Sequence, residues 1–205
     1  MYTIIRYIIL FIYKIVYNLS FEGTENIPKD GGRIFASNHR SYADPVFICL
    51  PVKARFAYMA KEELFKNPFF SALIRIMGAF PVVRGSGDMK VIDESIARLN
   101  KGRNLVIFPE GTRSKDGKVG RGKTGVALIA AKANVDVVPV GIVFEGKLKF
   151  RRKVVVKYGK PISAGQLQVS DNPSASELKS LKTTIMTSIT ELVEGEKSLH
   201  IIEKG

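Results

Sequence analysis

Six short apolar runs, at 33–37, 56–60, 80–84, 105–108, 137–143 and 154–158, are separated by segments long enough to form helices. That alternation constrains the fold more than any other feature of the chain. Runs of this length, rich in Val, Ile and Phe and bounded by Gly, Pro or Asn, predict strands. Segments 45–50, 62–77, 89–100, 124–133 and 176–194 predict helices. A parallel strand pair needs a crossover, so strands joined through helices imply an α/β fold. The sheet is expected to be mixed and largely parallel, flanked by helices. With 205 residues and no internal repeat, the chain can bury one full core. The expected organisation is an N-terminal membrane-interface helix at 1–22 and a single domain at 23–205.

The leading segment is overwhelmingly apolar or aromatic. No small-residue cleavage site follows it, which argues against a cleaved signal, and Arg6 and Lys14 make a full membrane crossing strained. Wound at about 100° per residue, Ile4, Ile5, Ile8, Ile9, Phe11, Ile12, Ile15, Val16 and Leu19 fall in one arc of roughly 160°. Tyr2, Thr3, Arg6, Tyr7, Tyr13, Lys14, Tyr17 and Asn18 fill the opposite arc, and Leu10 is the misfit. A tyrosine and cation face opposite an aliphatic face suits the headgroup boundary of a bilayer, placing the protein at the cytoplasmic membrane face, monotopic or peripheral. The competing reading packs the aliphatic face on the protein's own core.

The net charge of +13 is concentrated in residues 1–165, which hold 28 Lys and Arg against 13 Asp and Glu; the remaining 40 hold 4 against 6. Such a body attracts phosphate, acidic protein or anionic lipid. Arg151, Arg152 and Lys153, with Lys147 and Lys149, form either a docking patch or a strand edge protected by charge. Cys49 stands alone in an apolar run and is expected to be a small buried hydrophobe, with no disulfide framework. Two histidines and one cysteine give no metal-ligand spacing, so no metal is expected.

After the first apolar run comes Asn38-His39-Arg40-Ser41-Tyr42-Ala43-Asp44. An imidazole accepts a proton near neutral pH, and a carboxylate on its second nitrogen holds the tautomer and stabilises the imidazolium, so His39 with Asp44 has the makings of a general base. Asp44 before Pro45 also fits a helix N-cap. His39 follows the first run, Arg84 closes the third, and Glu110, Gly111, Thr112 and Arg113 follow the fourth, so all lie where strand ends converge. In the Phe108 to Ser114 turn a glycine lets backbone amides approach a ligand, and a guanidinium can fork onto phosphate. A surface turn with an ion pair is the plainer alternative. Ser37 and Ser41 are weak nucleophile candidates, since no Gly-x-Ser-x-Gly elbow is present.

Asn38-His39 with Asp44, then 78–84, 108–114 and 138–140, occur in the order of the four sequence blocks of glycerolipid acyltransferases. Over about residues 34–143 the chain resembles that family, and specifically small bacterial lysophosphatidate acyltransferases. The resemblance implies that His39 deprotonates the 2-hydroxyl of 1-acyl-glycerol-3-phosphate, which attacks an acyl thioester with no acyl-enzyme, while Asp44 orients the imidazole. It assigns Arg84, Glu110, Gly111, Thr112 and Arg113 to the acceptor's glycerol phosphate, and makes 23–205 the acyltransferase domain. The implied partners are membrane lipid and either acyl carrier protein or coenzyme A thioester, as co-substrate rather than bound cofactor. A nucleic-acid-binding module is the alternative from another class, motivated by the positive charge, but no nucleic-acid motif supports it. A further alternative is a membrane-bound relative that keeps the fold and scaffolds partners.

Overall fold

A computed structural model describes residues 2–82, 89–163 and 173–195. Helix α1 (Tyr2–Val16) leads into β1 (Asn18–Glu22), then β2 (Ile34–Ser37), α2 (Asp44–Cys49), β3 (Phe56–Lys61), α3 (Pro68–Ile76) and β4 (Ala79–Val82). Next come α4 (Met89–Asn100), β5 (Asn104–Ile107), α5 (Gly125–Ala133), β6 (Val137–Val143), β7 (Lys153–Tyr158) and α6 (Ala175–Glu194). The strands form one seven-stranded sheet in the order β1-β7-β6-β2-β5-β3-β4. All neighbours pair parallel except β6 with β7, so the sheet is mixed and largely parallel.

The central strand β2 lies between β5 and β6, with Phe35 opposite Val106 on one side and Val138 on the other. Strands buried on both faces carry continuous apolar runs rather than alternation. All four residues of β2 and all seven of β6 are buried accordingly. One face packs Ile34, Ala36, Leu105 and Ile107 under Leu99 of α4, Val126 and Ile129 of α5, and Leu181, Ile185 and Ile189 of α6. The other packs Phe35, Phe56, Val106, Val138 and Val154 under Phe47 and Ile48 of α2 and under α1. Strand β4 follows β3 in the same direction across the sheet as β3 follows β2. Right-handed crossovers therefore place α3 on the α2 face.

The N-terminal segment departs from expectation in three ways. The helix ends at Val16, and 18–22, expected as its continuation, is a strand that pairs with β7. Part of the tyrosine side lies on the protein: Tyr13 and Tyr17 meet Phe47 edge-on at 5.6 and 5.2 Å, and Leu10, the helical misfit, joins the same cluster, whereas Tyr7 and Lys14 of the same arc stay exposed. Arg6 donates to the carbonyls of Lys53 (3.0 Å) and Val52, just past the end of α2. Arg6, Tyr13 and Tyr17 therefore do not face headgroups, and the aliphatic stripe does not pack on the core: Ile4, Ile8, Phe11, Ile12 and Ile15 are 48–66% exposed. Tyrosine explains the reversal, since its ring can bury against phenylalanine as readily as lie at an interface.

Other differences are local. The expected helix 62–77 divides into a 3-10 turn, Glu62–Phe65, and α3, because Asn67 caps at Phe70 N–H (3.0 Å) with Pro68 behind it. The third run begins at Ala79, and Arg84 lies outside the described residues. Strand β7 is not an edge, since β1 covers it; Arg152 pairs with Glu145 at 3.6 Å. The charged-edge reading of 151–153 therefore fails. Cys49 is half-buried, its sulfur 2.6 Å from the Tyr58 hydroxyl, and burial drives its thiol well above the ordinary range.

Candidate active site

Strand β2 delivers its last residues to an edge of the sheet held from both sides. Asn38 donates from Nδ2 to the Ile142 carbonyl (3.0 Å) and accepts from the Ile142 amide (2.8 Å), so its side chain continues the pairing of β2 with β6. The next residue, His39, is 5% exposed, and its ring stacks on Phe108 at 4.0 Å and 17°. Its Nδ1 lies 2.8 Å from Asp44 Oδ2. That oxygen also accepts from the amides of Arg40 (2.6 Å) and Ser41 (2.7 Å).

These partners assign the proton. An ionised carboxylate only accepts, so Nδ1 carries hydrogen and Nε2 presents its lone pair. Nε2 has no protein hydrogen bond among the described residues. Asp44 is fully buried in the first turn of α2, with Pro45 behind it, yet it caps none of that helix's amides. Its side chain turns back to residues 39–41, which settles the choice between cap and dyad. Burial in low dielectric strengthens its hold on the imidazolium formed when Nε2 takes a proton.

The turn after β5 supports the same residue from the other side. Glu110 accepts the His39 amide at Oε1 (2.9 Å) and the Gly120 amide at Oε2 (3.0 Å), and Ser114 N–H donates to the His39 carbonyl (2.7 Å). Glu110 therefore clamps the His39 backbone, a position the sequence alone did not suggest. Burial pushes its carboxyl above the ordinary range, while the two amides and His39 pull it down. A Cβ at Gly120 would stand 2.8 Å from Oε2, so glycine permits the clamp. Gly111 turns with φ +74°, and Lys123 lies over it.

Thr112 and Arg113 are exposed in that turn. The Arg113 guanidinium lies 3.8 Å from the Tyr42 ring centre, and its Nη2 donates to the Tyr42 hydroxyl at 3.1 Å. Arg40 faces inward, stacked at 3.9 Å on Phe144 and donating to the Phe144 and Gly146 (3.2 Å) carbonyls. Asn38, Arg40 and Tyr42 were not singled out individually from sequence; their only signal was a place inside the His39 to Asp44 block. The structure brings His39, Asp44, Glu110, Gly111, Thr112 and Arg113 to one edge, and Arg84 is outside the described residues. No group of three His, Cys, Asp or Glu able to hold a metal occurs among the described residues.

A buried histidine–aspartate pair at the strand-end edge of a mainly parallel sheet, beside an exposed arginine turn, is an arrangement able to activate a hydroxyl or water. The family model described as Acyltransferase matches residues 18–143, and the chain belongs to that family. The 1-acyl-sn-glycerol-3-phosphate acyltransferase of Streptococcus pneumoniae is 32% identical, aligned over 97% of this chain and 75% of its own length. That of Bacillus subtilis is 30% identical over 82% of this chain and 84% of its own. The crystal structure of the 1-acyl-sn-glycerophosphate acyltransferase PlsC from Thermotoga maritima superposes with a TM-score of 0.72 at 32% identity, covering 93% of this chain and 79% of that one.

Proposed function

We propose that this acyltransferase transfers an acyl group from a thioester to the 2-hydroxyl of 1-acyl-glycerol-3-phosphate, giving phosphatidate. The observation that carries the chemistry is the His39 imidazole, bound at Nδ1 to buried Asp44 and free at Nε2. Nε2 takes the hydroxyl proton as the oxygen attacks the thioester carbonyl; collapse of the tetrahedral adduct expels the thiolate, which regains a proton from the imidazolium. No residue needs to carry the acyl group. Ser37 Oγ is turned onto the Asn38 carbonyl at 3.1 Å, and Ser41 Oγ accepts from the Ala43 amide. Arg113, with no carboxylate partner among the described residues, is placed to fork onto the acceptor's phosphate; Arg84, Gly111 and Thr112 belong to the same subsite by their place in the blocks. Glu110 serves it by holding the His39 peptide.

The acceptor is a lipid, and the outer face of α1 supports a seat in one leaflet. At 15 residues α1 is about 22 Å long, short of the roughly 30 Å hydrocarbon core, and no described helix is long and apolar enough to cross a membrane. On the same side of the sheet α3 exposes Phe69, Phe70 and Leu73. The donor is acyl carrier protein or coenzyme A thioester, taken as a co-substrate and not a bound cofactor, and the basic body suits either polyanion. The deciding assay presents purified protein with lysophosphatidate and each thioester in turn. Phosphatidate formation, lost in His39→Ala, is the expected result; no product from either donor would overturn the reading.

A further inference from the structure

Tyr42 is 75% exposed, in the turn between His39 and Asp44, and nothing in the chemistry above uses it. Its visible partner is Arg113, 71 residues away in sequence. The contact has two parts, the guanidinium carbon 3.8 Å from the ring centre and the Nη2 to hydroxyl hydrogen bond at 3.1 Å. Arg33, Arg98 and Arg152 meet the carboxylates of Asp136, Glu94 and Glu145, whereas Arg40 and Arg75 lie over the rings of Phe144 and Phe65. Arg113 also rests on an uncharged ring, and this one carries a hydroxyl that accepts from it, which orients the guanidinium without neutralising it.

We propose that Tyr42 is a positioning residue for the acceptor's phosphate, resting on the phosphate role given to Arg113 above. The ring and its hydroxyl hold the guanidinium from one side. The phenol oxygen takes one of five N–H donors, so a pair of parallel donors remains for a phosphate fork. A long, exposed arginine loses rotamer freedom when it grips a ligand, and an arginine already held loses less. The ring lies three residues beyond His39, and Ser114, next to Arg113, donates to the His39 carbonyl at 2.7 Å. The phosphate is thereby received at a set reach from Nε2, which aligns the 2-hydroxyl with the base. Tyr42 acts through Arg113 and touches no reacting atom.

The test compares Tyr42→Phe, Tyr42→Leu, Arg113→Ala and the Leu/Ala double variant. Acceptor KM, donor KM and kcat are measured on lysophosphatidate, and the affinity for glycerol 3-phosphate by NMR titration, which needs no turnover. Tyr42→Leu should raise the acceptor KM and the glycerol 3-phosphate Kd by about three- to tenfold, with donor KM and kcat within about twofold. Tyr42→Phe, which keeps the ring, should fall between it and the wild type. In the double variant both constants should match Arg113→Ala alone. The proposal is overturned if Tyr42→Leu lowers kcat with acceptor KM and glycerol 3-phosphate Kd unchanged, or if its effect adds in full to that of Arg113→Ala. A wild type that makes no phosphatidate yet binds glycerol 3-phosphate in a Tyr42-dependent way would instead overturn the assigned reaction and leave the positioning role standing.

Discussion

With Nδ1 bound to buried Asp44, the His39 imidazole can take a proton only at Nε2. His39→Ala should therefore lower turnover by about 10²- to 10⁴-fold with the fold intact, measured as acyl transfer beside a thermal melt. Asp44→Asn should be comparably impaired, because the amide oxygen that can replace Oδ2 still accepts from Nδ1 and the amides of Arg40 and Ser41 but carries no charge to stabilise the imidazolium, and its NH2 would take the place of Oδ1, which is buried without a hydrogen-bond partner. Its unfolding must be followed too, since the same oxygen closes the turn. Glu110→Gln belongs with stability. An amide can accept from only one of the His39 and Gly120 N–H groups, so a loss of about 1–3 kcal/mol is expected by denaturant titration. The pH dependence has a definite sign. Burial raises the folded carboxyl above its unfolded value, so between the two the folded chain binds more protons and stability falls as pH rises. Glu110→Gln should flatten that slope; an unchanged slope would assign it to another group.

At the scale of elements, α1 and α2 form one unit. Arg6 reaches the carbonyls past the end of α2, while Tyr13 and Tyr17 bracket Phe47 within it. Arg6→Gln should thus cost folding stability, about 1–2 kcal/mol by denaturant titration, and leave vesicle binding nearly unchanged. A charge-driven anchor would show the reverse. The same elements mark what was legible in the sequence. Six strands and the sheet's mixed, mainly parallel character followed from apolar runs spaced by helices, since buried strands carry continuous hydrophobic stretches. Strand β1 did not, because Asn18–Glu22 alternates exposed and half-buried residues and abuts a helical apolar pattern. The His39 and Asp44 pair was legible because the two lie five positions apart in one turn. The Glu110 clamp and the Tyr42–Arg113 pair were not, because each joins residues 71 apart and depends on β2 lying beside β5.

For the whole molecule, apolar exposure concentrates on one side of the sheet, with α4, α5 and α6 covering the other. Replacing Ile8 and Ile12, 53% and 48% exposed, with glutamate should release the protein from anionic vesicles in flotation while the melt stays near wild type. Raising salt should only partly detach the wild type, since apolar contact is not screened. Binding that survives both glutamates would remove α1 as the seat. Turnover on vesicle-borne acceptor should fall with binding, and turnover on a short-chain soluble acceptor should persist.

Helix α1 has two opposed faces with separate duties, and that has a thermodynamic corollary. Its inner face completes the core around Phe47, and burial, then Tyr17 and the Asp44 charge, push the Tyr13 hydroxyl's pKa up from within that core. A ligand that grips only the folded arrangement shifts the folding equilibrium toward it, and linkage is reciprocal. A bilayer that held the outer stripe, as proposed above, would be a stabilising ligand as well as a source of substrate: the more firmly lipid held the stripe, the more often α2 would be docked with Asp44 behind His39. Away from lipid the dyad would lose that support, so the protein would be best assembled where its proposed acceptor resides.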